Sequence, residues 1–411
     1  MWFLVYQNHP KSHKKALKNR ARKCCFFATL FQVLKYPMEC KFIKHGIALS
    51  YDQIVKPCCE WKIDDQWRSQ NQIHQIKLES WHQSPQVLSH ANQLENNSWP
   101  APCLKCEKFE QQGRGDSMRY NGNKSYADYI DDDITLEIRP GSVCNFACQT
   151  CWPAASSRVA QFHHRAGLID IKSVDSRQFD DFDFLKPIAH RIRNVVLLGG
   201  EPFYDKACKK FLSWSQSNLN SDLMMFTNGS LIDFDFLRSY PGKITVIFSL
   251  DAVGLPAEYI RFGTVWDEVL SNYRKVRMLK HVETRVNITC SVYNYSYLEE
   301  LIKFLCQDWP DVVTFGRPNN SHFLESAIPV EFRGKIIDSL TRAVEVVKQT
   351  DIEDGQRANA INAINSHIEN LQTCAWTESD YDTLCDFVTQ MDQVKNISVK
   401  DYCTEFSDLL K

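Results

Sequence analysis

The chain has 411 residues, 44% of them hydrophobic, and a formal net charge of −2. That composition fits a soluble globular protein of two domains, or of one large domain with appendages. The balanced charge gives no electrostatic case for nucleic acid as a partner of the whole chain. The longest apolar runs, such as 195–198 and 244–250, are strand-sized and far short of the roughly 20 residues a membrane helix needs. Sixteen cysteines are many for this length. They cluster at metal-ligand spacings, where a disulfide framework would scatter them. Met1–Val5 is apolar but too brief for a signal-peptide core, and basic residues follow it. The expected compartment is reducing, the cytoplasm, with no membrane association.

Taken in chain order, residues 1–37 stand apart. Eight Lys/Arg and no acidic residue lie between Lys11 and Lys35, which reads as a basic, disordered extension. Residues 38–125 form a compact, turn-rich module. A hairpin is expected over 42–49 and 53–56, and a helix over 84–94 with Ser84 as N-cap and Pro85 at its first position. Cys40, the pair Cys58-Cys59, and Cys103-x2-Cys106 frame the module, which supplies four metal ligands and one spare. Cys58, the first cysteine after Pro57, is preferred to Cys59, with the choice open. A structural zinc knuckle is the alternative to an iron–sulfur site.

From residue 130 to 320 the pattern alternates. Strands are expected at 134–138, 194–198, 223–226, 244–250 and 284–292, with helices at 154–166, 206–217, 265–278 and 297–305. Strand–helix alternation predicts βα units and a parallel sheet. Residues 325–411 read as helices, 330–350 being the clearest. The triad Asp131-Asp132-Asp133 reads as a solvated turn, and His163-His164 as surface or packing residues, since adjacent helical side chains point apart.

The strongest motif follows the first of these strands: Cys144-Asn-Phe-Ala-Cys148-Gln-Thr-Cys151, a C-x3-C-x2-C loop. A structural zinc site wants four ligands. Three thiolates in eight residues suit a cubic iron–sulfur cluster with one iron left open. A zinc ion borrowing a distant fourth ligand is the competing reading. Gly199-Gly200-Glu201-Pro202, Thr227-Asn228-Gly229 and Ser249-Leu-Asp251 end the next three strands, and in parallel α/β folds ligands gather at that edge.

With these residues in order, the chain resembles the radical S-adenosylmethionine superfamily over 134–318. The resemblance implies a partial (β/α)6 barrel, a [4Fe–4S] cluster on Cys144, Cys148 and Cys151, and S-adenosylmethionine chelating the open iron. It implies that Gly199, Gly200 and Glu201 lie along the cofactor's amino group. Ser249 and Asp251 would face its ribose and carboxylate side, and Arg261 would pair with the carboxylate. Asn228 and Asn287 would be further polar contacts. The superfamily usually has an aromatic residue before the last cysteine; here Thr150 stands there, with Trp152 on the other side. The 38–125 module, with Trp81 and the series Cys106, Glu110, Ser117 and Arg119, resembles the twitch or shortened SPASM module, placed upstream of the barrel as in phage and environmental bacterial members. That likeness implies a second iron–sulfur cluster on Cys40, Cys58, Cys103 and Cys106.

The function implied is reductive cleavage of S-adenosylmethionine and hydrogen abstraction from a peptide or small molecule. An electron donor of flavodoxin or ferredoxin type would serve it. No residue is assigned as a catalytic acid or base. The rival readings are a zinc-stabilised nucleic-acid or protein binder without catalysis, and a degenerate family member. The remaining cysteines (Cys24, Cys25, Cys208, Cys290, Cys306, Cys374, Cys385, Cys403) read as packing residues.

Overall fold

The computed structural model describes residues 38–111, 117–130, 132–174 and 177–410. The basic stretch 1–37 lies outside the described residues, as do Cys24, Cys25 and Asp131.

The first strand, β1 (Gly46–Ser50), turns back through Gln53 into β2 (Val55–Lys56), antiparallel to it. The expected hairpin is present but shorter, because Lys41–His45 is helical. A strand would turn Phe42 and Ile43 to opposite faces. The helical turn buries both, Phe42 edge-on to Tyr126 at 5.3 Å and Ile43 in the main core. Helix Pro85–Glu95 begins as expected, with the Ser84 side chain accepting from Val87 N.

Eight further strands follow: β3 (Ile134–Arg139), β4 (Ala147–Cys148), β5 (Ile192–Leu197), β6 (Asp222–Thr227), β7 (Ile244–Ser249), β8 (Arg261–Phe262), β9 (Val282–Thr289) and β10 (Val312–Gly316). The main sheet has the order β10-β9-β7-β6-β5-β3-β1-β2, parallel throughout except at β1–β2. The chain is thus an α/β protein with a parallel central sheet. β1 pairs with β3, so the 38–125 stretch shares its sheet with the strands that follow. β10 was absent from the sequence reading, since a five-residue run between Pro310 and Arg317 is too short to show a period.

Helices Ser157–Arg165, Lys206–Asn218, Trp266–Arg277 and Leu298–Gln307 lie close to their expected bounds, and a short helix, Phe234–Ser239, adds to them. Helices Val330–Gln349, Asp354–Thr373 and Glu378–Lys395 make the C-terminal part helical. No helix among the described residues is long and apolar enough to cross a membrane.

The two faces of the sheet differ, and the difference positions the site. Leu136, Ile138, Val195, Leu197, Leu223, Met225, Val246, Phe248, Val286 and Ile288 alternate along the strands on one face and join the core. On the other face the register aligns Glu137, Val196, Met224, Thr245 and Glu283 across five strands. Strands buried in a parallel sheet ordinarily read as unbroken apolar runs. Glu137, buried on that face, calls for a polar partner there and finds one in Cys59.

Candidate metal centre

The cysteine loop leaves β3 and is fastened at three points. Val143 N donates to Asp205 Oδ2 at 2.8 Å, and the other oxygen of Asp205 caps helix Lys206–Asn218. Glu201 N donates to Val143 O at 3.0 Å. β4 pairs with β8 so that Cys148 lies opposite Arg261. The glycines explain the close approach: a Cβ on Gly200 would sit 1.9 Å from Val143 O, and one on Gly199, at φ +121°, 2.4 Å from Gly141 O. Both therefore let the end of β5 lie against the cysteine loop's own backbone.

Around the three thiols the polar residues interlock. Arg261 reaches Cys148 Sγ at 3.7 Å through a terminal nitrogen and Asp251 Oδ2 at 2.8 Å through Nε. Asp251 Oδ1 accepts from Thr289 N at 2.7 Å. Asn228 Nδ2 lies 3.9 Å from Cys144 Sγ and donates to Asn145 Oδ1 at 2.9 Å. Glu201 accepts from Thr227 Oγ1 at 2.6 Å and Asn228 N at 2.8 Å. Burial pushes its carboxyl up to about 7 against those hydrogen bonds. Ser249 and Asn287 stand side by side in register, Asn287 accepting from Thr314 Oγ1 at 3.0 Å.

Burial holds the three thiols protonated, Cys151 up to about 12, with mutual repulsion adding to burial for Cys144 and Cys151. Crowded, buried thiols become thiolates when a cation offsets their charge, which is the condition a metal or cluster meets. Among the described residues no three His, Cys, Asp or Glu side chains close about a point as they would around one metal ion.

A cavity of about 340 Å³ opens beside the loop. Thr150, Cys151 and Trp152 border it with Gly199 and Gly200, while Lys56, Cys59, Glu60, Glu137 and Arg139 line its other side. Cys59 forms a hydrogen bond with Glu137, whose carboxyl burial pushes up. Trp152 is more than half exposed at the rim. His163 also borders this cavity and packs edge-on against Phe387 at 5.5 Å, whereas His164 points to Ile169 O.

Cys40, Cys58, Cys103 and Cys106 line a second, much smaller cavity of about 20 Å³, walled by Phe42, Trp61, Trp99 and Met118. Cys58 faces this space and Cys59 the large one, so the backbone divides the adjacent pair. Each of the four thiols is pushed up, by burial first, Cys40 to about 12. Backbone N–H groups of Phe42 and Ile43 point at Cys40, and those of Met118 and Arg119 at Cys106. Glu110 accepts from Ser117 Oγ at 2.6 Å and Arg119 Nε at 3.0 Å, and Arg119 lies 5.5 Å over the Trp99 ring.

Sequence reasoning missed two residues of the triplet site. Asp205 had a readable signal, an acidic residue just before a helical run. Lys395 had none: it lies 248 residues from Ala147, whose carbonyl it reaches at 3.0 Å. Burial lowers this ammonium to about 8.

No family model matches the chain, and no curated protein matches it. Among solved structures it is similar to anSMEcpe with bound AdoMet, at 17% identity over 59% of this chain and 63% of that one, TM-score 0.37. It is similar to Streptococcus suis SuiB bound to precursor peptide SuiA, at 15% identity over 69% and 68%, TM-score 0.37. A third is TYW1 with a lysine-pyruvate adduct, at 14% identity over 55% and 78%, TM-score 0.33. The chain spans about three fifths of the length of the anSMEcpe chain.

Proposed function

We propose that the protein is a radical S-adenosylmethionine enzyme with a partial (β/α)6 barrel and a [4Fe–4S] cluster on Cys144, Cys148 and Cys151. One observation carries the proposal: a loop of three thiols brings one of them, Cys151, to the border of a 340 Å³ cavity together with Gly199 and Gly200, at the C-terminal ends of parallel strands. Three sulfur ligands leave one coordination position for a small molecule. The donor set fits that group, since thiols that burial keeps protonated need a positive centre to ionise.

When bound, the cluster and cofactor would supply a one-electron break of a sulfonium C–S bond, giving methionine and a 5′-deoxyadenosyl radical. The chain's own residues bind, orient and exclude water. Asp205 and the Gly199-Gly200 backbone hold the loop. Arg261, fixed by Asp251, orients Cys148. Glu201, buried behind Gly200 and accepting from Thr227, Asn228 and the Phe203 backbone, would set a carboxylate near the cofactor's ammonium group. Ser249, Asn228 and Asn287 stand at the same strand ends without lining the cavity, and would support the residues that do. The substrate, a peptide or a small molecule, would meet the Lys56, Glu137 and Arg139 side of the cavity.

In this reading residues 38–125 carry a second metal group, a twitch-like auxiliary cluster on Cys40, Cys58, Cys103 and Cys106, followed by the core at 130–320 and the helical region at 325–411. A reduced flavodoxin or ferredoxin is the electron source. The test is anaerobic purification of wild type beside a Cys144/Cys148/Cys151→Ala variant. Wild type should be brown, hold about eight irons as two four-iron clusters, and cleave S-adenosylmethionine once reduced. The variant should lose about half the iron and all the cleavage. A colourless zinc protein would support the binder instead, and a brown protein without cleavage the degenerate enzyme.

A further inference from the structure

Helix Glu378–Lys395 packs against Ser157–Arg165, the helix that follows the cysteine loop, and its last residue reaches the loop itself. Lys395 is 8% exposed. Its Nζ donates to Ala147 O at 3.0 Å and to Gln149 Oε1 at 2.9 Å, the residues on either side of Cys148. Gln149 is tied in turn to the chain before Arg261, through its N to Ile260 O at 2.8 Å and its Nε2 to Tyr259 O at 3.3 Å. One turn earlier on the same helix, Asp392 accepts from Tyr259 Oη at 2.8 Å. Two points of one C-terminal helix therefore hold β4, which presents Cys148, and the short helix Gly254–Ile260 that leads into Arg261.

The charge is unusual as well as the geometry. Among the described residues Lys395 has no ion-pair partner; aromatic rings flank it instead, Phe262 at 5.3 Å and Phe162 at 5.9 Å. Carrying an ammonium into such a place is unfavourable unless an anion compensates it. Cys148 and Asp392 attract it through space, and Arg158 repels it. A cluster bound through Cys148 thiolate would bring lasting negative charge to this spot.

We infer that Lys395 is a positioning residue for the cluster, holding the Cys148 strand and supplying a buried positive charge that raises the cluster's reduction potential. The inference rests on the cluster reading above. Net charge and hydrogen bonding around the sulfurs are among the protein's means of setting such potentials. It gives the helical C-terminal region a role in the metal centre that its sequence does not announce.

The test uses full-length wild type, Lys395→Gln, Lys395→Arg and Tyr259→Phe, each reconstituted without oxygen. Iron content and the midpoint potential of the triplet cluster are read by redox titration, with the cysteine-triplet variant subtracted to isolate that cluster. Lys395→Gln keeps hydrogen-bonding capacity and loses the charge, so its potential should fall. Lys395→Arg should stay near wild type. Tyr259→Phe removes the hydroxyl that ties this helix to the chain before Arg261 and changes no charge, so it should not shift. A wild-type potential in Lys395→Gln, or an equal shift in all three variants, would overturn the inference. If Lys395→Gln takes up no triplet iron, Lys395→Arg decides: restored iron supports the role and continued loss overturns it. Absence of triplet iron from wild type would instead sink the cluster reading itself.

Discussion

The two cysteine sites contrast in what surrounds the sulfur. The triplet has three thiols, a ring of charged and amide side chains (Arg261, Asp251, Asn228, Glu201) and a cavity of about 340 Å³ beside it. The quartet has four thiols, walls of Phe42, Trp61, Trp99 and Met118, and about 20 Å³, little more than a water needs. Three donors with room beside them suit a centre that takes a ligand. Four donors in a tight space, mostly apolar but with Glu60, Lys105 and Arg119 at its edge, suit a centre that is coordinatively closed, a structural or electron-carrying group. The number of thiols and the space beside them thus point the same way at each site.

The sharpest way to break that contrast is to move a ligand between the sites. Cys58 and Cys59 are adjacent, yet they line different cavities. On the proposed reading, Cys58→Ala should cost the quartet most of its metal, lowering total iron by about half if each site holds four irons. Cys59→Ala should leave total iron unchanged. Metal analysis of the two variants, prepared side by side, checks this. Equal losses from both would mean that the backbone does not partition the pair, and the comparison would fail.

Much of this was legible in the sequence, and the reasons differ by residue. Strand–helix alternation marked β3, β5, β6, β7 and β9 because each carries a run of apolar or β-branched residues. The cysteine spacings were local and therefore visible. The choice of Cys58 was not decidable from spacing, since adjacent residues differ only in the direction of their side chains. The pairing of Arg261 with Asp251, which commits both before any ligand arrives, depends on the short helix Gly254–Ile260 between them and could not be read from either residue. Lys395 was invisible for a stronger reason: its partners are nearly 250 residues away, and a lysine at a helix end is ordinarily a solvated charge.

A smaller effect sharpens the triplet side alone. Gly200→Ala places a methyl 1.9 Å from Val143 O, a backbone atom with no freedom to swing aside. The loop must shift, at about 1–3 kcal/mol of stability. Because the strain falls next to Cys144, triplet iron should drop while quartet iron stays. Chemical denaturation and iron analysis read the two consequences separately. A variant with wild-type stability would show that this packing is looser than the contact implies.

The smallest expected effect comes from Glu201. Its carboxyl is driven up to about 7 by burial, although Thr227 and Asn228 donate to it. In the unfolded chain the same group titrates near 4.3. Between those values the folded state binds a proton that the unfolded state has released, so stability falls as pH rises. The contribution is fully present below about 4.3 and gone once pH passes the folded value. Metal-free protein should therefore lose about 2 kcal/mol between pH 5 and 7.5 through this residue. Glu201→Gln, which keeps the acceptor for Thr227 and cannot ionise, should flatten that slope, as urea unfolding across the range would reveal. The acids at the quartet are already paired, Glu60 with Lys105 and Glu110 with Arg119. A variant that changes the quartet, such as Cys58→Ala, should accordingly leave the slope as it is. If Glu201→Gln and wild type share one slope, the buried acid is compensated by Arg261 more fully than its surroundings imply, and the electrostatic distinction between the two centres weakens.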